Sequence, residues 1–201
     1  MDDLDYCKFL FLGDHDFTSL AFAMLCKNIN KKPHIVVMDI DENVLFYIKQ
    51  CSQKNGYDIE TYYSDFRFVI PKKINNTFDV IFTDPPYTAE GIGVFISKAN
   101  QMIKKNAFSS LLICYKSAEQ SNGLGIQVQR VINQSGLYIR ELIKNYNIYE
   151  TAEALGCRSD LYICLPTASI KKSWIHLNIC IIFILMVQML LRIISHIKQA
   201  F

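Results

Sequence analysis

The sequence predicts an α/β fold, a doubly wound sheet of about seven mostly parallel strands. Three observations carry this. Short apolar runs alternate with stretches of helical periodicity along the first two thirds of the chain. The runs are almost continuously hydrophobic, as strands covered on both faces must be. Acidic residues recur where those runs end, the edge at which such sheets bind their ligands.

The elements follow in order. Cys7 to Leu12 reads as a buried strand, and the spacing of Phe17, Leu20, Ala21, Met24 and Leu25 predicts a helix with those residues on its inner face. His34 to Met38 is a second buried strand rich in β-branched residues. Val44, Leu45, Ile48 and Ser52 mark the inner face of a second helix. Asp58 to Tyr63 and Phe78 to Thr83 are the third and fourth strands. A helix is expected from about Glu90 to Lys104 and a fifth strand at Ser110 to Tyr115. Gln127 to Gln134 looks helical, and Leu137–Asn145 and Asp160–Leu165 close the sheet.

Residues 1–167 therefore form one catalytic-sized domain, and residues 168–201 a separate hydrophobic tail. From Ile175 to Ile194 the tail is nearly continuous apolar sequence, interrupted by Asn178, Gln188 and Arg192. It is long enough for a membrane span, although the polar interruptions oppose one. A docked helix and frameshifted sequence are the other two readings.

The net charge of +2 and the short, scattered lysine pairs argue against a nucleic-acid partner. Of the seven cysteines, none falls in a C-x-x-C pair, so neither a metal site nor a disulfide framework is expected. The acidic start Met-Asp-Asp-Leu-Asp is unlike a signal peptide, and a cytoplasmic setting is expected.

Candidate functional residues cluster at the strand ends. Gly13-Asp14-His15-Asp16 follows the first strand. It lacks the glycine pattern of a dinucleotide loop, and its charge would repel a pyrophosphate. A cationic ligand suits it: a sulfonium, an ammonium, or both. Asp16 is also placed to cap the following helix. Asp39 follows the second strand, where a carboxylate can accept from ribose hydroxyls, while Asp41 is placed to cap the next helix. Asp65 can accept from an adenine amine or can close a turn. Asp84-Pro85-Pro86-Tyr87-Thr88 is stiffened by two prolines that lack backbone donors. Its carbonyls are expected to stand free as acceptors for an attacking amine, and Tyr87 offers an aromatic face to a cation. His15 is read as a partner of the neighbouring carboxylates rather than a base.

Together, residues 13–21, 36–41, 65–67, 78–88 and 158–162, with the later Gly91, resemble the branched-chain polyamine synthase family, the N4-bis(aminopropyl)spermidine synthases. Asp-Pro-Pro-Tyr alone also resembles amino-group methyltransferases. The resemblance covers roughly Cys7 to Thr167. It implies a Rossmann-like fold of the class I methyltransferase and aminopropyltransferase type. It also implies transfer of an aminopropyl group from decarboxylated S-adenosylmethionine to N4 of spermidine.

The family's first loop is Gly-Asp-Asp-Asp, its last aspartate catalytic; that position is Asp16, and His15 replaces the middle aspartate. The implied catalytic set is Asp16, Asp84 and Tyr87. Gly13, Asp14, Asp39 and Asp65 would hold the donor, and Asp14, Asp16, Pro85, Pro86 and Tyr87 the polyamine. A homodimer is left open, as is membrane contact by the tail. The alternatives are a methyltransferase using S-adenosylmethionine itself and an inactive remnant. The family's N-terminal winged-helix-like domain is not contained in these 201 residues.

Overall fold

The structure, a computed structural model, describes residues 2–106, 109–116, 122–148 and 158–167. The tail expectation for 168–201 lies outside the described residues.

A short 3-10 turn, Asp2–Tyr6, leads into β1 (Lys8–Leu12) and α1 (Thr18–Asn28). There follow β2 (His34–Asp39), α2 (Glu42–Asn55), β3 (Ile59–Tyr63), β4 (Val80–Thr83), α3 (Ala89–Met102), β5 (Ser110–Lys116), α4 (Asn122–Gln134), β6 (Leu137–Ile148) and β7 (Arg158–Pro166). The seven strands form one sheet in the order β3-β2-β1-β4-β5-β7-β6. β7 runs antiparallel to both its neighbours, and the other ladders are parallel. The chain winds outward from β1 to β3 and then returns to the other side of β1 at β4. The carboxyl ends of β1 and β4 therefore flank the switch point, where an open α/β sheet binds its ligand.

Side-chain alternation sorts the core into two layers. Phe9, Phe11, Ile35, Val37, Phe82 and Leu112 face one way, against Phe22 and Cys26 of α1 and Val44, Leu45 and Ile48 of α2. Leu10, Leu12, Val36, Met38, Ile81 and Ile113 face the other way, against Ile92, Ile96 and Ala99 of α3 and Val128 and Ile132 of α4. Burial of these apolar surfaces, at roughly 25 cal/mol per Å², is the main force holding helices to sheet.

The predicted inner face of α2 is the observed one, with Val44, Leu45, Ile48 and Ser52 buried. Asp41 caps that helix, its carboxylate accepting from the amides of Asn43 at 2.8 Å and Val44 at 3.4 Å. The face of α1 differs from expectation. Met24 is exposed, whereas Ser19, Phe22 and Cys26 are buried. α1 is apolar almost all round, so spacing alone cannot orient it. Among the described residues, no helix is long and apolar enough to cross a membrane.

Candidate active site at the switch point

Register determines which residues share the edge. Leu12 pairs with both Met38 and Thr83, and Thr83 pairs with Ile113. One residue further along, Gly13, Asp39, Asp84 and Cys114 come level at the carboxyl ends of four adjacent strands. The Thr83 hydroxyl fixes this edge by donating to the Leu12 carbonyl at 2.8 Å.

The first loop turns sharply over this edge. Gly13 has φ +72°, a conformation favouring glycine, and its amide donates to the Met38 carbonyl at 2.8 Å. A Cβ there would lie 3.1 Å from the Phe95 ring. Phe17 also carries positive φ, at 60°, just before α1. A bulky side chain is held there only when its surroundings insist, and such strain gathers at ligand sites.

Asp39 is 2% exposed, and both its oxygens are engaged. Oδ2 accepts from the Asp14 amide at 2.8 Å and Oδ1 from the Asp41 amide at 2.9 Å. Asp39 thus ties the first loop to the end of β2. His15 Nε2 lies 3.6 Å from Asp39 Oδ1, with its side chain 67% exposed. His15 thus meets a carboxylate distant from it in sequence, Asp39, rather than being described by its flanking residues alone.

Asp14 is fully buried. Its carboxylate accepts from the Ser19 amide at 3.2 and 3.3 Å and from the Ser19 hydroxyl at 2.5 Å. Burial pushes its carboxyl well above the usual range, helped by the charges of Asp16 and Asp39 and opposed by the Ser19 bonds. Asp16 is exposed, and its oxygens accept from the Thr18 hydroxyl at 2.7 Å and the Thr18 amide at 3.3 Å. The capping work at α1 is thus divided between Asp14 and Asp16.

The charges of Asp84 and Asp16 both reach Cys114. After burial, they are what hold its thiol above its ordinary range. Asp14, Asp16, Asp39 and Asp84 are therefore one electrostatic group, drawn from the ends of β1, β2 and β4.

The double-proline loop is held from behind. The Thr88 hydroxyl caps α3 by accepting from the Gly91 amide at 3.0 Å, and the Thr88 amide donates to the Pro86 carbonyl at 2.7 Å. The expectation that both proline carbonyls stand free needs correction at Pro86, because the loop's own tight turn engages that oxygen. Pro85 is buried and Pro86 exposed. A Cβ on Gly91 would meet the Pro86 oxygen and the Thr88 hydroxyl at 2.9 Å each, so α3 packs this close only with glycine there. Tyr87 is half-buried and meets Tyr115 edge to face, ring centroids 5.3 Å apart.

Asp65 adopts the turn role that was one of its two readings. Oδ1 accepts from the Arg67 amide at 3.0 Å, and both oxygens bind the Arg67 side chain, Oδ2 at 2.5 Å from Nη2. These bonds hold the Asp65 carboxyl below its usual range.

The sequence reading assigned no role to Cys114, Tyr115 or Tyr146. All three lie in apolar surroundings on strands and carry no motif; the acidic partners that make them notable are distant in sequence.

The comparisons can now be set beside this geometry. A model of the branched-chain polyamine synthase A C-terminal domain matches residues 1–189. The chain belongs to the branched-chain polyamine synthase family. The match continues past Thr167, into the tail. N(4)-bis(aminopropyl)spermidine synthase of Methanocaldococcus jannaschii is 33% identical over 142 residues, 70% of this chain and 39% of that protein. The enzyme of the same name from Thermococcus kodakarensis is 32% identical over 149 residues, 73% of this chain and 41% of that protein. The chain thus spans about two fifths of these relatives.

The Thermus thermophilus branched-chain polyamine synthase, solved with N4-aminopropylspermidine and 5'-methylthioadenosine, superposes with a TM-score of 0.71 at 22% identity. The superposition covers 83% of this chain and 52% of that one. An S-adenosylmethionine-dependent methyltransferase from Aquifex aeolicus gives 0.56 at 17% identity, covering 79% and 82%. Both show the fold: the seven-stranded Rossmann-like sheet that the family shares with methyltransferases.

Proposed function

We propose that the chain is an aminopropyltransferase that moves the aminopropyl group of decarboxylated S-adenosylmethionine to the secondary amine N4 of spermidine. One observation carries the reading: four carboxylates gather at the switch point of the sheet, two of them buried. A sulfonium donor and a polyammonium acceptor are the substrates such a site favours. The names of the archaeal relatives support the same chemistry.

In this mechanism the N4 lone pair attacks the propyl carbon bonded to sulfur. The new C–N bond forms as the C–S bond breaks, and the bonding pair stays on sulfur to give neutral methylthioadenosine. The amine acquires the positive charge, and its proton passes to a carboxylate, Asp16 or Asp84. The protein's main contribution is to hold the two reactants in line. Tyr87, braced by Tyr115, presents its ring to the ammonium. Gly13 and Asp39 border the donor, Asp39 acting in part by holding the loop that bears the buried Asp14 and the exposed Asp16, while Asp65 stays with Arg67. The carboxylates also favour the decarboxylated donor, because the carboxylate of S-adenosylmethionine would be repelled there.

Asp16→Asn tests the assignment. It keeps size and one accepting oxygen for Thr18 but removes charge and proton acceptor. Turnover should fall by at least about a hundred-fold, the scale of a lost general base, while the circular dichroism spectrum stays unchanged. Near-normal rates would remove Asp16 from the mechanism.

A further inference from the structure

α3 bears two neighbouring stripes, and only one of them packs into the core. Ile92, Ile96 and Ala99 are wholly buried on the α3 side of the sheet. Gly91, Phe95 and Lys98, spaced four and three residues apart, form the second stripe. Each of these meets a loop rather than a strand. A Cβ on Gly91 would stand 2.9 Å from the Pro86 oxygen, in the loop after β4. The edge of the Phe95 ring is 3.1 Å from where a Cβ on Gly13 would stand, in the loop after β1. The same ring meets Phe66, in the loop after β3, edge to face with centroids 4.9 Å apart. Lys98 Nζ donates to the Phe68 carbonyl of that same loop at 2.8 Å.

The loops after β1, β3 and β4 thus all bear on one stripe of one helix. The first carries Asp14 and Asp16, the last Asp84 and Tyr87. Phe95 sits at the meeting point. Gly13, at φ +72°, is where the first loop turns away from its strand, and the Phe95 ring occupies the space beside that turn. The ring is fixed in its turn. Phe66, only 7% exposed, packs on it, and the core residues Ile92 and Ile96 anchor the helix around it.

Resting on the functional reading above, we infer that Phe95 is a positioning residue for the aminopropyl transfer: its ring, carried by α3, sets how far the turn at Gly13 stands from the loop that Gly91 holds at Pro86. An in-line displacement depends on that separation, since a misplacement of about 1 Å can cost about a hundred-fold in rate. Phe95 touches neither reactant in this scheme and acts through the backbone of the two loops. Sites carried on rigid elements hold their geometry better than sites on loops alone, and α3 gives both loops a shared support.

Phe95→Leu and Phe95→Met test this in the full chain. Both keep an apolar side chain at a half-buried position and take the ring away. kcat should fall about ten-fold, as for a displacement of a fraction of an ångström. The spermidine KM and the affinity for methylthioadenosine should stay within about two-fold, because each loop keeps its own groups and only their separation changes. Ile96→Val is the comparison. It trims the core stripe of the same helix, so it should lower the melting temperature and leave kcat within about two-fold. An unchanged kcat in both Phe95 variants would overturn the inference. So would a loss of methylthioadenosine affinity as large as the loss in kcat, the mark of a ring that touches the donor itself. Equal slowing by Ile96→Val would overturn it too, because helix stability rather than the Phe95 contact would then govern the rate. The two levels fail differently. A wild-type chain that does not turn over spermidine removes the functional reading and this inference with it. An active wild type matched by its Phe95 variants removes the inference alone.

Discussion

Replacing Asp39 by asparagine isolates the tie that assembles the site. The carboxylate accepts from the Asp14 amide at 2.8 Å through one oxygen and from the Asp41 amide at 2.9 Å through the other. Asparagine offers one acceptor oxygen. Its NH2 group must then face one of the two amides, donor against donor. One charge-assisted bond is lost, worth about 1.5–3 kcal/mol, and the surviving bond becomes an ordinary one. The expected destabilisation is about 2–4 kcal/mol. For a chain of this size that corresponds to a fall in melting temperature of roughly 4–16 °C. The assay is thermal unfolding followed by circular dichroism at pH 7. Because Asp14 and Asp16 ride on the loop held by Asp39, methylthioadenosine should also bind more weakly. A variant that melts within about 1 °C of wild type would refute the claim that Asp39 clamps the first loop.

Three further outcomes follow from the same geometry. Gly91→Ala drives a Cβ to 2.9 Å from the Pro86 oxygen and the Thr88 hydroxyl. It should cost about 1–3 kcal/mol by overpacking and lower kcat/KM at least ten-fold as the Tyr87 loop shifts; unchanged kinetics would show that the loop's position is not critical. Thr88→Ala removes the cap of α3 and should lower stability by about 1 kcal/mol in a denaturant titration. Asp14 supplies a pH signature. Its folded pKa is raised, so folding takes up a proton in the window above the ordinary value of 3.8, and stability contributed there is lost as pH climbs through the folded pKa. Asp14→Asn removes that loss, so its melting temperature relative to wild type should improve from pH 4 towards pH 8; a difference independent of pH would contradict the assignment.

Much of the fold was legible because strands buried on both faces announce themselves as unbroken apolar runs. β1, β2, β4 and β5 all begin and end within two residues of expectation. α4 was harder: its first turn, Asn-Gly-Leu-Gly, carries two glycines, and the helix extends back to Asn122 from the expected Gln127. β6 runs three residues beyond the expected Asn145 because a bulge breaks its alternation. Within the site, the acidic edge was legible, since carboxylates after apolar runs stand out. Which of them serve the backbone was not. Asp39 and Asp41 are two residues apart and both take amide donors, yet one closes onto the preceding loop and the other onto the helix ahead.

The account rests on an acidic edge of the sheet that receives two cations and exchanges an aminopropyl group between them. The most direct measurement is mass analysis of the products when the purified chain is incubated with spermidine and either decarboxylated or intact S-adenosylmethionine. The account predicts methylthioadenosine and N4-aminopropylspermidine with the decarboxylated donor, and no transfer with the intact one. Methylated product with S-adenosylhomocysteine from the intact donor, or no product from either, would contradict it.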